Sequence, residues 1–345
     1  PWSQIVKVKL APSGRGEHFR YIPVMRAIVY EGAGGVDVVR IAERPTPEPG
    51  PGQIRVRVRT AGLNRADILQ RRGHYPAPPG WPADIPGLEY AGEVESLGAG
   101  VSRWNIGDRV MGLVGGGGQA EFVVTQESEA LGVPEGIDWS AAAAIPEAFL
   151  TAYDALVTRG RLRANERVLI HAAAGGIGTA AVQVARRWGA VVIGTSRSAE
   201  KLERLAPLGL TQGIDTSRRG FREQIADPVD LVLDPLGGPA FADNLAVLGH
   251  RGRLVMIGFL AGSAFSGDLG PILRQRLQVV GTVMRSRGAE ERAELAADWR
   301  RDLAPGFDAG ELRACVGREF PFEQIAAAQR LMEADELFGK CVLSW

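Results

Sequence analysis

Hydrophobic and polar residues follow different patterns in the two halves of the chain. Early on, Ile54, Val56 and Val58 alternate with arginines, and this period of two predicts a strand with one buried and one solvated face. Strand-like runs separated by glycine and proline recur from residue 25 to about 130, beginning with a strand at 26–30. A compact, mostly β domain is expected there.

From about residue 139, strand-like and helix-like segments alternate. The alanine-rich stretch Ala141–Leu156 predicts a helix with a kink or boundary at Pro146. Helices are predicted at 177–188 and 199–206, and apolar strands at 168–170, 191–193, 231–233, 254–257 and 279–283. Apolar strands alternating with helices predict a parallel sheet covered on both faces. Because that sheet is then complete, the helix at 289–303 and the strand at 340–343 are expected to return to the first domain.

Composition sets the size class and disfavours two kinds of partner. The 345 residues are 45% hydrophobic and 23% charged, which suits a large core and about two domains. Forty basic and forty acidic residues cancel, so no net charge favours nucleic acid or a membrane surface. The uncharged run 168–185 is interrupted by three glycines, and a strand, turn and helix explain it better than a membrane span.

The cysteines and the first residues bear on cellular location. Cys315 and Cys341 cannot form a disulfide framework or a four-thiolate zinc site, which predicts a reducing, cytoplasmic setting. Residues 1–24 lack the long apolar stretch of a signal peptide. Met25 opens a strand-like run, so it is the expected natural start, and residues 1–24 are expected to be an extension or an expression remnant.

A glycine turn follows the first apolar strand of the second half and precedes a helix. Gly175 would let the backbone approach a pyrophosphate, and Gly178 would let the helix pack tightly on the strand. The helix N-terminus offers amide groups to the phosphates. Ala173 replaces the first glycine of the usual fingerprint, so a turn without a ligand is the alternative. The surrounding strands and helices favour a dinucleotide site.

The residues after the second strand of that half indicate which dinucleotide binds. Sites for NAD place an Asp or Glu about twenty residues after the turn. The sequence here is Gly194-Thr-Ser196-Arg197-Ser, with Lys201 just beyond and no carboxylate among them. Serine and arginine can bind a 2′-phosphate, so NADPH is predicted. The alternative is that Arg197 and Lys201 are solvated residues at a helix start.

Residue types argue against a catalytic zinc of the alcohol dehydrogenase kind, which needs cysteine, histidine and carboxylate ligands. Asn64 stands where such an enzyme would carry a cysteine, and Leu88 where it would carry a histidine. No metal is predicted. The histidines show no ligand spacing and are each expected at the surface or in a turn: His18, His74, His171 and His250.

Without a metal, a carbonyl lacks its Lewis acid, whereas a quinone or enone accepts a hydride directly from the cofactor. Tyr75, in Gly-His-Tyr-Pro, is a candidate to donate a hydrogen bond to the acceptor oxygen; the alternative is an ordinary half-buried aromatic residue on a loop. Asn64 is a candidate to bind the substrate or the nicotinamide ribose; the alternative is a residue that caps a turn.

Longer motifs cover almost everything from Met25 to the end. They include Ala61-Gly-Leu-Asn-Arg-Ala-Asp67, Gln70-Arg-Arg-Gly-His-Tyr-Pro76, Gly87-Leu-Glu-Tyr-Ala-Gly92, Trp104-Asn-Ile-Gly-Asp-Arg-Val110, Ala143-Ala-Ile-Pro-Glu147, Met284-Arg-Ser-Arg287 and Gly339-Lys-Cys-Val-Leu343. In these stretches the chain resembles the zinc-independent quinone oxidoreductases of the medium-chain dehydrogenase/reductase superfamily. It is especially similar to the p53-inducible quinone oxidoreductase type.

The resemblance implies an α/β fold in which a GroES-like, β-rich catalytic domain (25–148 and 285–345) carries an inserted Rossmann domain (149–284) with a doubly wound parallel sheet. It implies NADPH in the cleft between the domains, and a homodimer paired through the last Rossmann strand, Leu277–Val283. The implied contacts are Asn64 and Tyr75 for the nicotinamide and acceptor; Thr151, Ile257, Gly258 and Phe259 for the nicotinamide end; Gly175, Gly176 and Ile177 for the pyrophosphate; Ser196, Arg197 and Lys201 for the adenosine phosphate; and Arg285, Arg287 and Lys340 elsewhere in the cleft.

One position departs from the family pattern. Related enzymes often place a tyrosine near the adenine, where this chain has Thr216, which cannot stack on a ring. Arg218 or Arg219 would have to compensate by cation stacking.

The predicted function is NADPH-dependent reduction of a quinone or quinone-like acceptor by direct hydride transfer. Reduction of an enone or enoyl thioester on the same scaffold is the first alternative. The second is a redox sensor that binds NADPH without significant turnover. The choice of substrate rests on the resemblance, because a fold does not determine a function.

Overall fold

The computed structural model describes residues 5–9 and 19–345, with side chains from residue 22 onward. These residues form two units. The first contains the described residues up to Ala143 together with Arg318–Glu336 and Cys341–Trp345, and the second contains Ala144–Gly317 and Leu337–Lys340. Much of the predicted extension 1–24, including His18, lies outside the described residues.

Strands and helices are numbered in chain order over the described residues. The strands are β1 (Ile5–Lys9), β2 (Phe19–Tyr30), β3 (Val39–Pro45), β4 (Gln53–Leu63), β5 (Glu89–Leu97), β6 (Arg109–Leu113), β7 (Phe122–Gln126), β8 (Leu131–Gly132), β9 (Arg167–Ile170), β10 (Val191–Ser196), β11 (Gln212–Asp215), β12 (Val229–Asp234), β13 (Leu248–Met256), β14 (Gln278–Gly281), β15 (Val316–Pro321) and β16 (Lys340–Ser344). The α-helices are α1 (Arg65–Arg71), α2 (Trp139–Ala143), α3 (Pro146–Tyr153), α4 (Gly176–Arg187), α5 (Ala199–Glu203), α6 (Gly238–Val247), α7 (Gly270–Gln275), α8 (Ala289–Asp298), α9 (Ala304–Asp308) and α10 (Ile325–Glu333). Segments 154–159 and 299–303 are π-helical, and short 3-10 turns lie at 36–38, 206–208, 222–224 and 322–324.

The first unit is built on antiparallel sheets. One has the strand order β1-β2-β3, and the other has the order β15-β16-β4-β5-β6-β8 with β7 also paired to β4. The alternation predicted for β4 is confirmed, because Ile54, Val56 and Val58 are buried in one core cluster. Fully burying each such side chain contributes about 1.5–3 kcal/mol.

The second unit contains a six-stranded parallel sheet in the order β11-β10-β9-β12-β13-β14. Each of the five predicted strands overlaps an observed strand, and the bounds agree within three residues except at β13, which begins six residues before its predicted start. The sixth, β11, has no counterpart in the hydrophobic pattern because it is a short edge strand whose Gln212 and Gly213 are exposed. The chain reverses direction across the sheet between β9 and β12, and the crevice at such a switch point is where open α/β sheets bind ligands.

The alanine-rich segment divides at the predicted boundary. Helix α2 ends at Ala143 and α3 begins at Pro146, where the missing proline N–H costs no helical hydrogen bond. The helical path then continues through the π-helical turn Asp154–Arg159. Among the described residues, no helix combines the length and apolarity that crossing a membrane requires.

Candidate functional site

The glycine turn connects β9 to α4 at the switch point of the parallel sheet. The Ala173 amide donates to the Thr195 carbonyl on β10 (2.9 Å), and the Gly175 amide donates to the Ala172 carbonyl (3.0 Å). A Cβ at Gly178 would lie 2.4 Å from the Ala172 oxygen, so a side chain there would force the helix away from the strand. A Cβ at Gly175 would meet one atom, the same Ala172 oxygen, at 3.3 Å. Gly178 therefore serves packing, whereas Gly175 keeps the turn backbone accessible.

The N-terminus of α4 has the features of an anion site. Gly175 is the N-cap and makes no side-chain cap hydrogen bond, so no side chain of the cap residue satisfies the first-turn amides. The helix is twelve residues long, and its dipole places partial positive charge at this end. Backbone amides and dipole together suit a pyrophosphate.

Lys340 reaches this turn from a distant part of the sequence. The Gly339 amide donates to the Ala174 carbonyl (2.9 Å), and the Lys340 amide donates to the Cys315 carbonyl (2.7 Å). A Cβ at Gly176 would lie 2.5 Å from the Lys340 Cδ, so the lysine side chain crosses the glycine directly. The lysine itself is buried. The structure thus brings two predicted site residues, Gly176 and Lys340, together.

Thr151 offers a test of whether the second unit fits a ligand. Its hydroxyl, on α3, is buried and has no hydrogen-bond partner among the described residues. Buried polar atoms in folded proteins are nearly always hydrogen-bonded. An unsatisfied hydroxyl at a position predicted to meet the nicotinamide end is consistent with a polar group of a ligand completing it.

The predicted adenosine-phosphate residues gather at the end of β10. Ser196 is the last residue of that strand, and its Oγ accepts from the Ser198 amide (3.2 Å). Ser198 in turn caps α5 by accepting from the Lys201 amide (3.3 Å). Arg197, between the two serines, is exposed. The structure therefore brings Ser196, Arg197 and Lys201 into one turn.

A carboxylate near this turn is not apparent from the sequence segment alone. Asp215 of β11 is the register partner of Ser196 on β10. Hydrogen bonds from Ser217 hold the pKa of Asp215 below its usual value, and the charge of Arg218 adds to this. Arg219 pairs with Glu223 at 2.7 Å. Segment 194–198 thus has no carboxylate of its own, but Asp215 on the neighbouring strand lies opposite Ser196.

The nicotinamide-side loop follows β13 at the same edge of the sheet. The Ile257 amide donates to the Asp234 carbonyl at the end of β12 (2.9 Å). Phe259 is exposed by 56%, and Gly258 lies against the backbone of Pro235. The glycine turn after β9 and the loop after β13 therefore both lie at the carboxyl edge of the sheet, where a Rossmann ligand is expected.

His171 lies in the turn after β9, as one of the two predicted positions has it, but it is not at the surface. Its side chain is buried, with Nδ1 3.0 Å from Thr195 Oγ1 on β10 and Nε2 2.7 Å from Asn244 Oδ1 on α6. The Asn244 amide donates to Asp234 Oδ2 at 3.0 Å. Burial lowers the pKa of His171 and raises that of Asp234, whose hydrogen bonds oppose the rise. The histidine directly precedes the glycine turn, which is the one sequence signal that could have indicated this network.

Arg287 is engaged inside the second unit. Its guanidinium forms an ion pair with Asp154 (2.7 Å) and donates to Thr282 Oγ1 (2.9 Å) and the Val283 carbonyl (3.0 Å). Asp154 and Arg287 are both buried, as is Arg285. These contacts give Arg287 a structural role, and its contact with a cofactor stays a prediction.

In the first unit, Asn64 occupies the N-cap position of α1 and also joins a buried polar cluster. Its amide Nδ2 donates to Glu89 Oε1 (2.9 Å), and its backbone N–H donates to Asp67 Oδ2 (2.8 Å). Asp67 also accepts from Gln119 (3.1 Å). Sequence reasoning missed Asp67, Glu89 and Gln119, although the first two lie in motifs quoted above. The carboxylates fix the orientation of Asn64.

Tyr75 and Leu88 also belong to the first unit. Tyr75 lies half-buried on the loop after α1. Leu88, at the position compared with a zinc ligand, is buried. Among residues 5–9 and 19–345, no group of three or more histidine, cysteine, aspartate or glutamate side chains is placed to hold a metal ion.

A cavity of about 840 Å³ lies at the opposite end of α4 from the glycine turn. Arg186 and Arg187 of the last helical turn line it, where cations offset the negative end of the helix dipole. Arg187 forms an ion pair with Glu311. Because α4 spans about 18 Å at 1.5 Å per residue, this cavity is separate from the dinucleotide end.

Comparison with known proteins places the chain in a family. The sequence model described as "Alcohol dehydrogenase GroES-like domain" matches residues 50–135, and the one described as "Zinc-binding dehydrogenase" matches residues 176–300. The "Synaptic vesicle membrane protein VAT-1 homolog" of Rattus norvegicus is 34% identical over 343 residues, covering 93% of this chain and 84% of that protein. The chain belongs to the medium-chain dehydrogenase/reductase superfamily.

Within this superfamily the chain is of the quinone oxidoreductase type. The "Quinone oxidoreductase" of Homo sapiens is 28% identical over 330 residues, covering 93% of this chain and 98% of that protein. The crystal structure of CurK enoyl reductase superposes with a TM-score of 0.83 at 29% identity, covering 93% of this chain and 99% of that one. The predicted fold class, a GroES-like domain with a Rossmann-type parallel sheet, is confirmed. Membership implies an oxidoreductase that uses a nicotinamide dinucleotide, NAD(P)H.

Proposed function

We propose that this medium-chain dehydrogenase/reductase catalyses NADPH-dependent, zinc-free reduction of quinones or quinone-like acceptors by direct hydride transfer. The observation that carries the proposal is the glycine turn at the switch point of the parallel sheet, where the first-turn amides of α4 have no side-chain cap from Gly175. Lys340, packed across Gly176, adds a cation beside the same turn. This arrangement suits a dinucleotide pyrophosphate.

Different residues of the second unit would bind different parts of the cofactor. Gly175, Gly176 and Ile177 would hold the pyrophosphate through backbone amides. The adenosine 2′-phosphate would be bound by Ser196, Arg197 and Lys201, and the nicotinamide end by Thr151 and the loop Ile257–Phe259. When bound, NADPH supplies the hydride. Arg285 and Arg287 would also contact the cofactor, although Arg287 already pairs with Asp154.

Asn64 and Tyr75 are the proposed catalytic residues of the first unit. Glu89 and Asp67 hold Asn64 in one orientation, which suits a side chain that positions a substrate or ribose oxygen. Tyr75 would donate a hydrogen bond to the acceptor oxygen as negative charge develops there. Zinc independence is supported by the side chains at 64 and 88, an amide and a buried alkyl group, which cannot supply a thiolate and an imidazole.

Enoyl reduction is the second candidate, favoured by one observation. The CurK enoyl reductase shares the fold over nearly the whole of both chains. An enone and a quinone both accept a hydride at an electron-poor carbon, so one cofactor site serves either substrate. The pocket that binds the acceptor would determine whether a quinone or an enone is reduced.

We further propose a cytoplasmic homodimer. Cys315 and Cys341 are not joined in a disulfide, consistent with a reducing compartment. Strand β14 is an edge of the parallel sheet. Its Val279 is exposed, as are Val283 just after the strand and Leu273 on α7. Exposed apolar edge strands favour pairing with another chain, so the segment Leu277–Val283 is the proposed contact.

A paired assay tests the catalytic proposal. NADPH and NADH are each offered with a panel of quinones, enones and enoyl thioesters, and loss of reduced nicotinamide is followed at 340 nm. Quinone reduction that is faster with NADPH supports the proposal. Equal rates with both cofactors would reject the 2′-phosphate site. Turnover of enoyl thioesters but not quinones would establish the second candidate, and tight binding without turnover would indicate a sensor.

A further inference from the structure

The carboxylate of Asp234 bonds to two different segments of the second unit. Asp234 is the last residue of β12 and is completely buried. Its Oδ1 accepts from the amides of Leu236 (2.6 Å) and Gly237 (3.2 Å), and its Oδ2 accepts from Asn244 Nδ2 (3.0 Å). Backbone amides can only donate, so this geometry favours the ionised carboxylate, which accepts on both oxygens.

The Oδ2 branch ends at the glycine turn. Because the Asn244 nitrogen donates to Asp234, its oxygen accepts from His171, and Nε2 therefore carries the proton. His171 Nδ1 is then an acceptor for the Thr195 hydroxyl (3.0 Å). The carbonyl of Thr195 accepts from Ala173, inside the turn (2.9 Å). One charge at Asp234 thus fixes the direction of the side-chain hydrogen bonds along this branch.

The Oδ1 branch ends at the nicotinamide-side loop. It fixes the turn at residues 235–237, whose carbonyls accept from the amides of Leu260 and Ala261 (2.9 Å each). The Asp234 carbonyl itself accepts from the Ile257 amide (2.9 Å). Gly237 has a φ of +91°, and a Cβ there would lie 2.5 Å from the Gly262 oxygen, so the two loops are in close contact. The placement of loop 257–261 therefore depends on the same carboxylate.

We propose that Asp234 is a positioning residue that sets the geometry of both halves of the cofactor site. Through Asn244 and His171 it orients the glycine turn for the pyrophosphate, and through the turn at 235–237 it holds the loop beside the nicotinamide. The inference rests on the proposed NADPH site. Binding groups of this kind must be held to within about 0.5 Å of the productive geometry, which a buried, fully bonded network achieves.

The two branches can be separated by substitution. Asn244→Leu interrupts the Oδ2 branch and leaves the bonds of Oδ1 in place. The Kd for NADPH is expected to rise about tenfold, the effect of roughly 1.4 kcal/mol, while kcat at saturating NADPH stays within about twofold. Asp234→Asn disturbs both branches, because an amide cannot accept on both sides, so Kd rises and kcat falls together.

A conservative variant and a matched control complete the design. His171→Gln retains one donor and one acceptor and is expected to bind NADPH more tightly than His171→Leu. Gln183→Leu removes a buried amide that bonds Thr179 and Arg313 elsewhere on α4. It is expected to lower Tm as Asn244→Leu does, with Kd unchanged. Kd is read from the fluorescence of bound NADPH on the full chain.

The outcomes are distinguishable. A wild-type chain that binds no NADPH overturns the proposed function and this inference with it. Normal wild-type binding with an unchanged Kd in Asn244→Leu overturns the inference alone, as does an equal rise in Kd for Gln183→Leu. Should Asp234→Asn fail to fold, the comparison of Asn244→Leu, the two His171 variants and Gln183→Leu decides the question.

Discussion

The guanidinium of Arg287 donates to Oδ2 of Asp154 across 2.7 Å, and both side chains are almost completely buried. Removing one partner of a buried ion pair leaves an uncompensated charge, which typically costs about 3–5 kcal/mol. Arg159 lies 3.4 Å from the other Asp154 oxygen and would offset part of that loss.

Arg287→Ala is therefore expected to destabilise the protein by about 2–4 kcal/mol, measured as the free energy of unfolding in urea. If Arg287 has only this structural role, the folded variant keeps its NADPH affinity. A large loss of affinity with little loss of stability would instead establish the cofactor contact.

The two glycines of the turn should respond differently to alanine. Gly178→Ala places a methyl group 2.4 Å from a backbone oxygen and is expected to cost about 1–3 kcal/mol of stability. Gly175→Ala meets one atom at 3.3 Å and is expected to fold nearly normally but to bind NADPH at least about tenfold more weakly. Thermal unfolding and NADPH titration measure the two effects. Gly220→Ala, with nothing within 4 Å of the added carbon, is the control.

Thr151→Val tests the buried hydroxyl of α3. Because that hydroxyl has no partner among the described residues, its replacement by an isosteric methyl should leave Tm unchanged or slightly raised. If the hydroxyl bonds the nicotinamide end, the Kd for NADPH rises about three- to tenfold. A fall in stability with no change in Kd would contradict a binding role.

Cofactor choice should depend on charges at the ends of β10 and β11. Arg197→Asp is expected to weaken NADPH about ten- to a hundredfold relative to NADH, because it removes a charge-assisted bond to the 2′-phosphate. Asp215→Asn removes the carboxylate opposite Ser196 and is expected to strengthen NADPH by a few-fold, less so in 1 M salt. The ratio of the Kd values for NADPH and NADH measures the effect of each substitution. Arg274→Asp on α7 is the control for a change of charge alone. An equal effect on NADH would move the phosphate site elsewhere.

Stability should fall as the solution is made more acidic than about pH 6.5. Burial holds the pKa of His171 below 6.5, so the unfolded chain takes up a proton there that the folded chain does not. Linkage then lowers the free energy of unfolding by up to about 1.4 kcal/mol per pH unit as pH falls from 6.5 toward the folded pKa. The raised pKa of Asp234 acts in the opposite sense at lower pH. His171→Gln removes the histidine contribution, so the free energy of unfolding of this variant should depend less on pH. Urea unfolding at pH 7.0 and 5.5 compares the variant with the wild-type chain. The same pH dependence in both would contradict the prediction.

Local patterns in the sequence predict the strands of the parallel sheet, because apolar runs between helices need no knowledge of distant residues. They do not predict β11, in which Ile214 is the one buried apolar residue, Gln212 and Gly213 are exposed, and the pairing depends on β10. The carboxylate of Asp215 beside Ser196 was missed for the same reason. The burial of His171 was not predicted because its partner Asn244 lies 73 residues away, and no spacing rule connects them. The turn itself was predictable because strand, glycines and helix are contiguous.

The contact of Gly339 and Lys340 with the glycine turn has a consequence for biosynthesis. A fragment ending at residue 317 would contain every strand of the parallel sheet, yet would lack the segment that bonds Ala174 and covers Gly176. The turn is synthesised near the middle of the chain, whereas this segment leaves the ribosome more than 160 residues later. The anion site therefore gains its contacts with Gly339 and Lys340 only late in translation. A chain released early would contain the strands of the sheet but would lack this part of the anion site.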